Sequence, residues 1–140
     1  MNKLEINIDF DGTVITHDFP NIGKDIGSVS VLKKLVAKGH KLILFTMRSN
    51  RPYVGVNGKS RNTLHEAVDW FKKNDITLYG INTNPTQKDW TDSPKSYGHL
   101  LIDDTALGCP IKVDKKKSQR PFVDWEKVEE LLIEKGLIEK

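Results

Sequence analysis

The stretch LEINIDFDGT, residues 4–13, decides the fold of this chain. Its first half is an apolar run that ends at Asp9, which is typical of a buried strand, and polar residues close that strand. In an open α/β sheet, ligands bind outside the carboxyl ends of the strands. We therefore predict that Asp9 and Asp11 lie at a ligand-binding edge.

Further strands and helices alternate outward from this stretch. Strand-like apolar runs occupy residues 4–9, 41–46, 76–81, 99–103 and, more weakly, 111–113; helical periodicity occupies residues 28–38, about 60–73 and the segment after an Asp124 cap. Such alternation indicates a parallel sheet covered on both faces. We expect an α/β fold, with a single three-layer, Rossmann-like domain over residues 1–140 and a sheet of about five strands.

The composition bounds the class of protein. With 37% hydrophobic and 29% charged residues, a globular domain is expected, not a disordered chain. Cys109 is the single cysteine, the amino terminus alternates polar and apolar residues, and no run approaches the roughly 20 apolar residues of a membrane span. These features predict a cytoplasmic protein without a membrane partner. The net charge of +3 suits an anionic substrate but does not by itself favour nucleic acid.

Four groups of polar residues converge on one edge of the predicted sheet. They are Asp9 with Asp11, Thr46, Asp103 with Asp104, and Lys95 just upstream of that pair. Carboxylates within about 4–6 Å repel each other by roughly 1–4 kcal/mol per pair, and a hard divalent cation removes this repulsion. Because oxygen ligands dominate, Mg²⁺ is the predicted cofactor, with Asp9, Asp11, Asp103 and Asp104 as candidate ligands.

The same residues suggest phosphoryl transfer. An ionised Asp9 can attack phosphorus and form an aspartyl-phosphate, while Asp11 can protonate the leaving oxygen and then activate water. The non-bridging oxygens need donors and positive charge, which Thr46, Lys95 and the main-chain N–H near Phe10 can supply.

Residues 4–104 closely resemble the haloacid dehalogenase-like (HAD) superfamily of phosphatases. Asp9-Phe10-Asp11-Gly12-Thr13 is similar to the first motif of that family, Thr46 to the second, Lys95 to the third and Asp103-Asp104 to the fourth. The resemblance implies strand order 3-2-1-4-5. It also implies a metal held by Asp9, the main-chain carbonyl of Asp11 and Asp104, with Asp103 acting through water.

The resemblance leaves open which lysine belongs to the third motif and how the site is closed. Lys95 lies unusually close to Asp103 for the third motif, and Lys88 is the alternative lysine. The connections between the predicted strands are too short for the separate cap domain that many family members carry. An open site follows, which a second subunit or the loop at residues 48–61 would have to close.

The basic residues and the histidine near the site could bind substrate or could simply be solvated surface residues. Arg48, Arg51, Lys59 and Arg61 form a basic loop in which Arg48 is the best candidate for a second substrate anion, with solvated surface charge as the alternative. Lys115, Lys116 and Lys117 are interpreted as a solvated loop, and His17 as a loop histidine.

The sequence favours a Mg²⁺-dependent phosphomonoester hydrolase acting on a small phosphorylated metabolite or sugar phosphate. A phosphatase of nucleic-acid ends is the alternative within this reaction class. A signalling receiver that is phosphorylated on aspartate is an alternative from another class. The order of the motifs disfavours it, because the double aspartate of a receiver comes first and its lysine last.

Overall fold

A computed structural model of the chain describes residues 2–140. Its central sheet has four parallel strands, which are β1 (Glu5–Ile8), β2 (Lys41–Leu44), β5 (Leu78–Ile81) and β6 (Leu100–Ile102). Their order across the sheet is β5-β2-β1-β6. Two short hairpins pair β3 (Tyr53–Val54) with β4 (Ser60–Arg61) and β7 (Ile111–Lys112) with β8 (Phe122–Val123). The molecule is a mixed α/β protein whose central sheet is parallel throughout.

Three helices accompany the sheet: α1 (Ser28–Ala37), α2 (Thr63–Lys73) and α3 (Trp125–Glu134). The carboxamide of Asn62 caps α2 by accepting from the N–H of His65, and the carboxylate of Asp124 caps α3 by accepting from the N–H of Lys127. No helix within residues 2–140 is long and apolar enough to cross a membrane.

The helices pack on one face of the sheet. Ile6, Ile8, Leu42 and Leu44 point to this face and share one apolar cluster with residues of all three helices. The alternate positions face the other way, as the two-residue period of a strand requires. There Asn7 donates from Nδ2 to the carbonyl of Ser96 over 3.1 Å and accepts from its hydroxyl over 2.8 Å.

The second face of the sheet is also covered, as predicted, but without the helix that a three-layer Rossmann-like domain would place there. It is covered by the connection at residues 82–99, whose only regular element is a single 3-10 turn at Gln87–Asp89. Close approach of the connection depends on Gly98, where an added Cβ would lie 2.5 Å from Nδ2 of Asn7.

The expected fifth strand is not part of the central sheet. The implied five-stranded order 3-2-1-4-5 is not observed, because the central sheet has four strands in the order β5-β2-β1-β6 and residues 111–112 pair antiparallel with residues 122–123 in a separate hairpin. Ile111 is 48% exposed and Val113 62% exposed, so this segment lacks the two covered faces of an interior parallel strand.

The start of the second helix also differs from the prediction. Ser60 and Arg61 form β4, and the helix begins at Thr63 after the Asn62 cap. The segment predicted as a basic loop, residues 48–61, is therefore largely a small hairpin. It contacts the chain after β1, where the rings of Phe19 and Tyr53 meet edge to face at 5.5 Å.

Candidate functional site

The turn after β1 holds the first two aspartates. The carbonyl of Phe10 accepts from the N–H of Thr13 and of Val14, and Gly12 donates to the carbonyl of Ile15 over 2.9 Å. Gly12 has φ +80° and its α-carbon lies against the ring of His17, where an added Cβ would clash at 1.9 Å. Glycine at this position thus meets both a backbone and a packing requirement.

Three carboxylates meet at the carboxyl edge of the sheet. Oxygen atoms of Asp9, Asp103 and Asp104 all lie within 4.8 Å of one another. The Thr13 hydroxyl donates to Asp9 Oδ2 over 2.6 Å and accepts from the N–H of Asp104 over 3.0 Å. The Asp103 carboxylate accepts from the N–H and the hydroxyl of Thr105 over 2.9 and 2.8 Å.

The surroundings of Asp9 disfavour the ionised form of its carboxyl group. Burial raises its pKa from 3.8 to about 7, and the charges of Asp103 and Asp104 add to this rise, while bonds from Thr13 and the main-chain N–H of Phe10 oppose it. A carboxylate that is costly to ionise among two others is the environment that a cation relieves. The cluster therefore fits a hard cation, and its all-oxygen donor set suits Mg²⁺ or Ca²⁺.

Asp104 has a further partner that the sequence did not predict. His17 Nε2 lies 2.8 Å from Asp104 Oδ2, and both side chains are largely buried. An ionised carboxylate can only accept here, so His17 donates. The loop histidine is thus a second contact that orients a candidate metal ligand.

Asp11 does not join the other three acids. Both of its oxygens accept from Arg48, Oδ2 from Nε over 2.8 Å and Oδ1 from Nη2 over 2.7 Å. The side chain of Arg48 is 1% exposed. Its remaining N–H groups donate to the carbonyls of Pro20, Asn21 and Thr63.

This arrangement corrects the expectation for Arg48. All five donors of the guanidinium have acceptors within the protein, so none is available for a substrate phosphate in this structure. Arg48 instead fixes the position of Asp11. Asp11 in turn offers its side chain to Arg48 and not to the carboxylate cluster, and a metal contact through its main-chain carbonyl stays a prediction.

Thr46 lies in the same concavity as the acids, which has a volume of about 360 Å³. Its main-chain N–H donates to Asn82 Oδ1 over 2.8 Å, and its hydroxyl accepts from the N–H of Arg48 over 3.1 Å. The part of the chain that the structure describes offers no acceptor for the hydroxyl proton of Thr46, which can therefore be donated to a ligand. Phe19 and Met47 form the apolar part of the rim.

Phe10 and Lys95 are placed differently from the acids. The side chain of Phe10 is fully buried against Trp70 and Phe71, so only its main chain can contact a ligand. Lys95 is exposed and lines another concavity, near Asn7 and Tyr97. Within residues 2–140 neither Lys95 nor Lys88 forms an ion pair, so the structure does not choose between them.

Sequence reasoning missed Thr13, His17 and Asn82 as contributors to the site. Asn82 had a usable signal, since it is the polar residue that follows β5 in the same way that Asp9 follows β1. Its N–H donates to the carbonyl of Leu44 over 2.6 Å, and its φ of +58° suits asparagine. Thr13 and His17 reach their partner Asp104 across about 90 positions of sequence, which no local pattern reveals.

Comparisons with known proteins give a structural relative but no family. No protein-family model and no curated protein matches the chain. A solved structure described as a conserved protein coded by a locus of Bacteroides thetaiotaomicron superposes with a TM-score of 0.71 at 29% identity, covering 96% of this chain and 93% of that one. The likeness extends over nearly the whole of both chains, and that description gives no activity.

Proposed function

We propose that this protein is a Mg²⁺-dependent phosphomonoester hydrolase that works through an aspartyl-phosphate on Asp9. The observation that carries the proposal is the cluster of Asp9, Asp103 and Asp104 within 4.8 Å, beside a separately held Asp11. Its support is the combination of this geometry with the resemblance of four motifs to the HAD superfamily. A small phosphorylated metabolite or sugar phosphate is the proposed substrate.

The residues of the carboxylate concavity would bind the metal ion and the phosphoryl group. Asp9, Asp103, Asp104 and the main-chain carbonyl of Asp11 would hold Mg²⁺, which when bound lowers the cost of ionising Asp9 and neutralises charge on the phosphoryl oxygens. Thr46 would donate its hydroxyl proton to a non-bridging oxygen, and the main-chain N–H of Phe10 is the second proposed donor.

The bond changes balance over two half-reactions. In the first, a carboxylate oxygen of Asp9 forms a bond to phosphorus while the bond to the leaving oxygen breaks, and Asp11 delivers a proton to that oxygen. In the second, Asp11 accepts a proton from water, whose oxygen bonds to phosphorus and releases Asp9 and inorganic phosphate. Both oxygens of Asp11 contact Arg48, so these transfers require a rotation of Asp11 that frees one of them.

The test is steady-state turnover of p-nitrophenyl phosphate with and without Mg²⁺. We expect Mg²⁺-dependent turnover by the unmodified protein and its loss in both Asp9→Asn and Asp11→Asn. Asp92→Asn is the matched control, because this exposed aspartate lies outside the carboxylate concavity. An unmodified protein without turnover in excess Mg²⁺ would rule out the hydrolase and leave a phosphate-binding or receiver-like module.

A further inference from the structure

A second concavity, of about 510 Å³, adjoins the carboxylate site and has a basic lining. His17 belongs to the lining of both concavities. The cationic side chains of the second one are exposed and are those of Lys24, Lys115, Lys116, Lys117 and Arg120. We call this concavity the basic cleft.

The charges of the basic cleft have little compensation from the protein. Within residues 2–140 none of its five cations forms an ion pair with an acid, and Lys115 Nζ donates only to the carbonyl of Gln119 over 2.7 Å. The carboxylate that lines the cleft is that of Asp18. Five positive charges against one negative charge create a local field that attracts anions.

The loop that carries most of these cations is ordered by its own bonds. The carbonyl of Asp114 accepts from the N–H of Lys117 and of Ser118 over 3.0 and 3.1 Å. The carboxylate of Asp114 accepts from the N–H of Lys116 over 3.0 Å. The lysine side chains therefore project from a defined turn.

The same loop is tied to the turn that bears Asp9 and Asp11. It connects β7 to β8, and the N–H of Val123 in β8 donates to the carbonyl of Gly12 over 3.0 Å. The indole N–H of Trp125 donates to the carbonyl of Thr13 over 2.7 Å and is buried. Hydrogen bonds therefore connect the segment that carries the basic cleft to the turn that carries the proposed nucleophile.

We propose that the basic cleft binds a second phosphate group of the substrate, next to the phosphate that is hydrolysed at Asp9. The inference rests on the proposed function and specifies its substrate as a molecule with two phosphate groups. Lysine is a common phosphate ligand, and a bound phosphate relieves the mutual repulsion of the cations. Of the three guanidiniums that the sequence offered for this task, Arg48 and Arg61 are bonded to Asp11 and Glu66, and Arg51 is exposed outside both concavities.

Two sources of the second phosphate share this chemistry, and substrate pairs distinguish them. Fructose 6-phosphate and fructose 1,6-bisphosphate differ by one phosphate on a small metabolite. Thymidine 5′-monophosphate and a 5′-phosphorylated thymidine tetranucleotide differ by the phosphodiesters of a strand. For each pair we would measure Mg²⁺-dependent phosphate release and take the ratio of kcat/KM with the second phosphate to kcat/KM without it.

The test variant is Lys116→Gln/Lys117→Gln/Arg120→Gln, and the matched control is Lys33→Gln/Lys72→Gln/Lys73→Gln. The control removes the same charge from exposed positions of α1 and α2 that line neither concavity. We expect a ratio well above one in the unmodified protein for one pair, which identifies the source. The test variant should lower this ratio about tenfold, because it loses three exposed charge contacts with the second phosphate. The control variant should leave the ratio unchanged.

A ratio near one for both pairs would overturn the inference, and so would an equal fall in both variants. Either result, obtained while p-nitrophenyl phosphate is still turned over, leaves the proposed hydrolase standing. Absence of all turnover in the unmodified protein overturns the hydrolase and the inference with it.

Discussion

Asp9 and Asp11 are two residues apart in one turn, and their surroundings are opposite in charge. Asp9 faces two further carboxylates, and its pKa is raised to about 7. Asp11 receives two N–H bonds from the buried guanidinium of Arg48. The partners come from different parts of the chain, the end of β6 for Asp9 and the segment after β2 for Asp11. Equivalent side chains in one motif thus acquire different chemistry from their tertiary neighbours.

The Arg48–Asp11 pair carries the largest expected effect. Arg48→Met leaves Asp11 partly buried without its partner, and loss of one member of a buried pair costs about 3–5 kcal/mol of the free energy of unfolding. Urea unfolding of the metal-free protein measures it. Arg51→Met is the control, since Arg51 is exposed, and its change should stay within about 0.5 kcal/mol. Equal stabilities of the two variants would show that the pair does not hold Asp11.

A substitution of His17 tests whether the carboxylate cluster around Asp9 binds Mg²⁺. His17→Ala removes the 2.8 Å contact that orients Asp104, and loss of such an outer contact typically weakens metal affinity about 10–100-fold. Titration calorimetry with Mg²⁺ measures the change. His65→Ala, at an exposed position of α2, should bind Mg²⁺ like the unmodified protein. A His17→Ala variant with unaltered affinity would separate His17 from the site.

Asp9→Asn should stabilise the metal-free protein while removing its response to Mg²⁺. The folded-state pKa of Asp9 lies above its ordinary value, so its contribution to stability is complete below about pH 4 and is lost as the pH rises through about 7. At pH 8 the uncharged amide removes this penalty, which corresponds to roughly 4 kcal/mol for the shift alone, but it also weakens the bond from the Thr13 hydroxyl, so we expect a net gain of about 1–2 kcal/mol. Thermal unfolding with EDTA and then with Mg²⁺ measures both effects. If Asp9→Asn were less stable than the unmodified protein in EDTA, the ionised form of Asp9 would not be unfavourable in the folded protein.

Per unit of pH, the pH dependence of Mg²⁺ binding gives the smallest of the four effects. Asp9 must lose its proton to act as a ligand, so below its pKa of about 7 each bound ion releases a proton. The apparent Kd should rise about tenfold for each pH unit below 7 and level off above it. Calorimetry in buffers of different ionisation enthalpy counts the protons. A Kd that is constant between pH 5 and 8 would show that Asp9 is not a ligand.

Two basic segments of the chain also differ in whether the fold pairs their cations with acids. The segment at residues 48–61 looked like the anion-binding loop, but Arg48 and Arg61 are bonded to Asp11 and Glu66. The lysines at residues 115–117 are exposed on a loop, as predicted, and they also line a cleft beside the carboxylates. A count of cations along the chain does not distinguish the two cases, because availability depends on which acids the fold brings near.

Much of the sheet could be predicted because its signals are local. Apolar runs closed by polar residues give β1, β2, β5 and β6, and caps such as Asp124 give the starts of helices. The error at residues 111–113 has a physical reason as well. A two-residue strand has too few apolar positions to reveal whether it will be an interior parallel strand or one arm of an exposed hairpin.

The sequence by itself determined the strands of the parallel sheet and that Asp9, Asp103 and Asp104 close two of them. Strand ends in such a sheet share one edge, so the meeting of these acids follows from local pattern and topology. Only the tertiary structure decided that Arg48 holds Asp11, that His17 reaches Asp104, and that the 115–117 lysines border the site. These contacts join residues tens of positions apart, and no periodicity along the chain records which distant side chain will fill a given hydrogen bond.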